Sequence, residues 1–148
     1  MAHIEREAEV VWSGSIGAGG GSISTASGML ADLPYTFATR VTARAEGKTS
    51  PEELLAAAHA ACYAMSLANV LSEAGTPPDQ LDVHATVVMD EVPGKGHLIV
   101  ASHLVARGIV FGVDDWAFAA AAKEADEGCP FSALVRASAE VTLDAALL

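Results

Sequence analysis

The chain has 148 residues, 51% of them hydrophobic, and carries eight Lys and Arg against nineteen Asp and Glu, for a formal net charge of −11. That length fits one domain over residues 1–148 with a sizeable core, and the apolar content argues against extended disorder. So acidic a chain is a poor binder of nucleic acid or anionic membranes.

The opening MAHIEREAEVVW, residues 1–12, is charged and alternating, so a first strand over residues 3–12 is expected and neither a signal peptide nor a membrane span is. The glycine-rich SGSIGAGGGS that follows reads as a turn between this strand and a second one near residues 22–27. A phosphate-binding loop is the weaker reading, because neither a Gly-Lys-Ser/Thr run nor a following helix accompanies the glycines. Alternation over residues 35–45 predicts a third strand carrying Arg40.

The segment KTSPEELL is a strong helix start, with Ser50 as N-cap, Pro51 at the first helical position and Glu53 closing a capping box. The helix is expected to run to about residue 73, where Gly75 and two prolines end it. It is apolar nearly all round, so burial on several sides is expected. Interruption of the apolar runs by His, Ser or Asn argues against a transmembrane helix. LDVHATVVMDEV and HLIVASHLVARGIV alternate with period two about PGKG and predict an antiparallel hairpin. A helix over residues 114–127, a second opened by Cys129 and Pro130 and reaching about residue 136, and a final strand in ASAEVTLDAAL complete an α+β domain.

The two cysteines, Cys62 within the long helix and Cys129 before a helix-opening proline, suggest chemistry. In an intracellular chain two cysteines are more often catalytic or metal-binding than a permanent bridge. A thiol reacts as its thiolate, which a helix N-terminus or a cation stabilises. Cys129 has the better local field; spacing alone leaves open which sulfur attacks. Each is also compatible with a plain packing role. Arg40, flanked by apolar Phe37, Ala38 and Val41, is the candidate cation; a solvent-facing arginine is the bland reading, with Arg44 as comparator. Glu53 has a capping duty, whereas Glu52 is free to orient an arginine. Ten residues of helix rise about 15 Å, so Glu52 cannot touch Cys62 of its own helix. One site containing both requires a second subunit. His59 lies on the same helical face as Cys62. A packed residue with one hydrogen bond suits it better than a zinc ligand, since His3, His84, His97 and His103 show no ligand spacing.

Taken together, STASGML, PYTFATR, TSPEELLAAAHAACYAMSLANVLSEAG and EGCPFSALVRASAEVTLD resemble the OsmC/Ohr family of thiol peroxidases. The resemblance implies an OsmC-like fold, with antiparallel sheets wrapped around long central helices in an intertwined homodimer and active sites at the interface. It implies Cys62 as peroxidatic cysteine, Cys129 as resolving cysteine, Arg40 as the group holding the thiolate, and Glu52 as the partner of Arg40. Arg40 in PYTFATR, with no arginine in SGSIGAGGGS, points to the OsmC branch. Met29, Leu30, Tyr35, Phe37, Met65 and Phe131 would line a pocket for the organic tail of a hydroperoxide. No cofactor is implied: an external dithiol, such as a protein-bound lipoyl group, would restore the thiols, in the cytoplasm. The competing expectations are another thiol-dependent enzyme and a non-enzymatic dimeric binder of small apolar ligands.

Overall fold

The computed structural model describes residues 3–43 and 47–148 and divides the chain into two compact units, residues 1–54 and 55–148. The division falls between Leu54 and Leu55, inside one helix.

The first unit holds a three-stranded antiparallel sheet of β1 (Ala8–Ser13), β2 (Gly20–Thr25) and β3 (Leu33–Tyr35), in that order. The glycine-rich segment is a hairpin turn, with Ser13 opposite Gly20. The Tyr35 ring lies so close over Gly21 that a Cβ there would meet it at 2.5 Å, and it also packs on Trp12 with centroids 5.5 Å apart. The expected third strand stops early. Thr36 caps a short helix, α1 (Phe37–Val41), through a capping box with Thr39, so Arg40 stands on a helix and not on a strand. The rest of that expected strand includes Arg44, which lies outside the described residues.

Helix α2 (Pro51–Glu73) begins where expected: the Glu53 N–H donates to the Ser50 hydroxyl at 3.2 Å, and the Glu53 carboxylate accepts from the Thr49 hydroxyl. It ends in a Schellman motif, with Thr76 N–H on the Leu71 carbonyl, Gly75 N–H on that of Ser72, and Gly75 at φ 79°. By length and hydropathy alone α2 is long and apolar enough to cross a bilayer, a test that the core helix of a soluble protein also passes. His59, Tyr63, Leu67 and Leu71 recur at four-residue spacing and form its buried stripe, an arrangement suited to a core helix.

In the second unit, β4 (Gln80–Val92) and β5 (Gly96–Ile109) form the expected hairpin, bulged between Val88 and Met89. After β5 the chain passes through α3 (Asp115–Gly128) and α4 (Pro130–Arg136) before returning as β6 (Glu140–Leu147). That return is parallel to β5, so this sheet is mixed and not antiparallel throughout. A crossover carrying two helices naturally brings the chain back in the same direction. Alternate β5 residues Ser102, Leu104, Ala106 and Gly108 are buried. Gly108 is there because the Phe118 ring of α3 fills the space: a Cβ would meet it at 2.7 Å. The core joins this row to Tyr63, Leu67, Leu71, Phe118, Ala122 and Cys129, with Cys62 and Phe131 packed at its edge.

Candidate active site

Cys62 and Cys129 meet in the second unit. Both thiols are free, and each affects the titration of the other through a side-chain hydrogen bond. Their surroundings differ. Cys62 is partly exposed and lines an open cavity of about 480 Å³, together with Met65, Ser66, Asn69, Val70 and residues of α3 and the α3–α4 turn. Glu73 and Glu124 add carboxylates to its wall. Cys129 is fully buried and serves both as C-cap of α3 and as N-cap of α4.

Burial pushes the Cys62 thiol up from its ordinary value; the Phe131 N–H opposes this, and Cys129 adds to it. Burial acts in the same sense on Cys129 but is outweighed by the N–H and hydroxyl of Ser132, by Cys62 and by the Phe131 N–H, so that thiol is drawn down. The cause is local: Cys129 makes no side-chain capping hydrogen bond, yet it faces the unpaired donors at the start of α4.

Behind Cys129 lies a polar cluster that the sequence revealed only in part. His59 is fully buried; its Nδ1 is 2.7 Å from the Ser102 hydroxyl and its Nε2 is 2.9 Å from that of Ser132. The expected single hydrogen bond is thus two. Burial lowers the His59 pKa, Asp126 opposes that, and Arg136 adds to it. Asp126 and Arg136 pair at 2.6 Å, and Asp126 Oδ1 is buried without a hydrogen-bond partner among the described residues. The Tyr63 hydroxyl donates to the Ala122 carbonyl at 3.0 Å. The described residues contain no group of three or more His, Cys, Asp and Glu placed to hold a metal.

The first unit holds the other two expected site residues. Arg40 Nη2 donates to Glu52 Oε1 at 2.6 Å, and Arg40 Nε lies 3.1 and 3.3 Å from the two carboxylate oxygens. The bond to Glu52 raises the Arg40 pKa. Burial would raise that of Glu52, but the Arg40 hydrogen bond reverses the sense and holds the carboxyl below its ordinary value. Of the expected pocket residues, Met29, Leu30, Tyr35 and Phe37 belong to this unit, with Met29, Leu30 and Phe37 exposed, while Met65 and Phe131 belong to the second. Met65 lines the Cys62 cavity.

A family model described as OsmC-like protein matches residues 43–144. The peroxiredoxin OsmC of Escherichia coli strain K12 is 40% identical over 141 residues, 95% of each chain, and the protein of that name from Shigella flexneri matches equally. This chain belongs to the OsmC family. Among solved structures, the organic hydroperoxide resistance protein OsmC of Legionella pneumophila aligns with TM-score 0.77 and 25% identity, covering 99% of both chains. The organic hydroperoxide resistance protein OhrB of Bacillus subtilis aligns with TM-score 0.71 and 26% identity, over 94% of this chain and 97% of its own. The α+β fold is therefore that of OsmC structures, and the enzyme class of this family member is thiol-dependent peroxidase.

Proposed function

We propose that this OsmC protein reduces organic hydroperoxides, and hydrogen peroxide less efficiently, with Cys62 as the attacking thiol and Cys129 as the resolving one. The observation that carries the proposal is the paired arrangement of the thiols, one opening on a cavity and one buried behind it. The Cys129 thiol is the more acidic, but a bulky peroxide can reach only Cys62, and access decides the order of attack. The Cys62 thiolate takes the distal oxygen, the O–O bond breaks, and the departing alkoxide is protonated to an alcohol. The resulting sulfenic acid condenses with Cys129 to a disulfide and water. An external dithiol, for which a lipoyl-type donor is the leading candidate, reduces the disulfide; the sulfur carries the electrons and no cofactor is required.

Burial disfavours the Cys62 thiolate, so a cation is needed, and we assign that role to Arg40 held by Glu52. Ten residues of α2 separate Glu52 from Cys62, so the pair would act on the Cys62 of a second subunit in an intertwined homodimer. The organic tail would rest against Met65 and Phe131 from one subunit and Met29, Leu30, Tyr35 and Phe37 from the other. We place the enzyme in the cytoplasm, as a single functional domain over residues 1–148.

The test is consumption of a dithiol on addition of cumene hydroperoxide. Wild type turns over, Cys62→Ser is inactive, and Cys129→Ser oxidises once and stalls. Full activity in Cys62→Ser would dismiss the proposal in favour of a binding protein, and dithiol chemistry independent of peroxide would point to another thiol enzyme.

A further inference from the structure

A single extended residue, Cys129, joins α3 to α4: one helix ends at Gly128 and the next begins at Pro130. Its N–H donates to the Asp126 carbonyl at 3.3 Å and closes α3, and its carbonyl accepts from the Ala133 N–H at 3.0 Å and opens α4. The backbone stands at φ −77° and ψ 118°, the region that a following proline favours. The place of the Cys129 sulfur therefore depends on how the two helices are set against each other.

A side-chain bond spans this corner. Arg136 Nη2 donates to Asp126 Oδ2 at 2.6 Å. Asp126 lies near the end of α3, and Arg136 is the last residue of α4. The helix from Pro130 to Arg136 rises about 9 Å. A restraint at the far end of such an arm fixes the angle of α4 more tightly than one at the pivot. Asp126 ties the corner twice, because its carbonyl holds the Cys129 N–H and its carboxylate holds the end of α4.

Stability does not explain the pair. The Asp126 side chain is 14% exposed and its Oδ1 is buried without a partner among the described residues, whereas 45% of the Arg136 side chain is exposed. Burying a carboxylate with one oxygen unsatisfied costs free energy, and a well-packed apolar residue in its place is often neutral or better. Ala122 and Ala125 of α3 and Ser132 and Val135 of α4 already bury one face of each helix. What the pair adds is direction. We propose that the Asp126–Arg136 ion pair is a clamp on the α3–α4 corner, which holds the Cys129 sulfur where it can attack the Cys62 sulfenic acid.

This inference rests on the proposed resolving role of Cys129. In that step the Cys129 sulfur forms the S–S bond to Cys62, and the S–O bond of the sulfenic acid breaks. The oxygen departs as water with the proton that the Cys129 thiol gives up. A disulfide accepts only a narrow range of Cβ separations, about 3.5 to 4.5 Å, so a small change in the angle of the corner slows the step. Asp126 and Arg136 touch neither peroxide nor sulfur in this scheme and are positioning residues.

The test is rapid mixing of the full-length protein with one equivalent of cumene hydroperoxide, without reductant. Loss of the Cys62 thiol reads the first step, and the Cys62–Cys129 disulfide in acid-quenched samples reads the second. Asp126→Asn keeps the shape and removes the charge. It should slow disulfide formation relative to Cys62 oxidation about tenfold, the equivalent of one charge-assisted hydrogen bond, and let a sulfenic acid accumulate that dimedone traps. Its melting temperature should not fall, because water solvates the released Arg136. Arg136→Leu should slow the same step, and Arg136→Lys, which keeps one donor for Oδ2, should restore most of it. If Arg136→Leu does not fold, Asp126→Asn and Arg136→Lys still decide the matter. An unchanged ratio of the two rates in folded Asp126→Asn, with or without a lower melting temperature, would overturn the clamp and leave the pair a structural one. A wild type that oxidises Cys62 but forms no disulfide would overturn the resolving role and the clamp with it, so the two failures are distinct.

Discussion

Two polar arrangements in this molecule obey opposite rules. Arg40 and Glu52 form a close ion pair in the first unit, with more than a third of the Arg40 side chain exposed. Ser102, His59 and Ser132 lie wholly buried in the second. The pair contributes little to stability, because water reaches the Arg40 side and screens it, while the mostly buried Glu52 carboxylate loses hydration in forming it. Its value is geometric: a guanidinium held by a carboxylate is fixed and permanently charged. The buried cluster has no water to fall back on, so each donor must find its acceptor and the direction of every bond matters. Under the proposed mechanism, the first arrangement serves the thiol that meets substrate.

The contrast is most open to challenge at His59. His59→Leu strands two buried hydroxyls and should lower unfolding free energy by about 2 to 4 kcal/mol in urea denaturation. A change below about 1 kcal/mol would mean that the cluster is not under the constraint described. The pH dependence is a smaller effect with a definite sign. The His59 pKa lies below its ordinary 6.5 in the folded chain. As pH falls below about 6.5 the unfolded chain takes up a proton that the folded chain refuses, so stability falls, by at most about 1.4 kcal/mol per pH unit, until the folded pKa is reached. Above that window the residue contributes no slope. His59→Gln should flatten this part of the profile, and an unchanged slope would show that another group causes it. The Glu52 carboxyl is also held low, so its pairing is present above its ordinary 4.5 and is lost only as pH falls through its folded value. As pH falls, the His59 effect therefore sets in before the Glu52 effect.

The smallest expected change in stability is at the exposed pair. Glu52→Gln should shift unfolding by less than about 1 kcal/mol. Yet it should slow oxidation of Cys62 by hydroperoxide about tenfold, if loosening Arg40 costs the thiolate about one pKa unit. Equal oxidation rates in a folded Glu52→Gln protein would remove the pair from the proposed site.

What the sequence reveals is local. Ser50, Pro51 and Glu53 lie within one helical turn, and that helix starts where they place it. Gly75 ends the helix through contacts only a few residues back, and Pro130 opens α4 directly after Cys129. The short helix α1 escapes a reading by pattern because the chain around its two ends, Y-T-F at the start and V-T-A-R-A at the finish, alternates like a strand, and its cap is a Thr–Thr box, a weaker signal than the usual Ser/Thr with Glu/Gln. The parallel course of β6 is set by how α3 and α4 pack, which period-two alternation does not encode. The partners of His59 lie 43 and 73 residues away, so its spacing from Cys62 can suggest one helical face but not the hydroxyls that hold it. Arg40 and Glu52 are 12 residues apart, and only family resemblance pairs them at the level of sequence.

Peptide mapping after a single equivalent of cumene hydroperoxide, without reductant, probes the thiol pairing itself. One disulfide-linked species joining the peptides of Cys62 and Cys129 is predicted, with both free thiols lost together. Recovery of Cys129 as a free thiol beside an oxidised Cys62, or of both thiols unreacted, would contradict the two-cysteine mechanism.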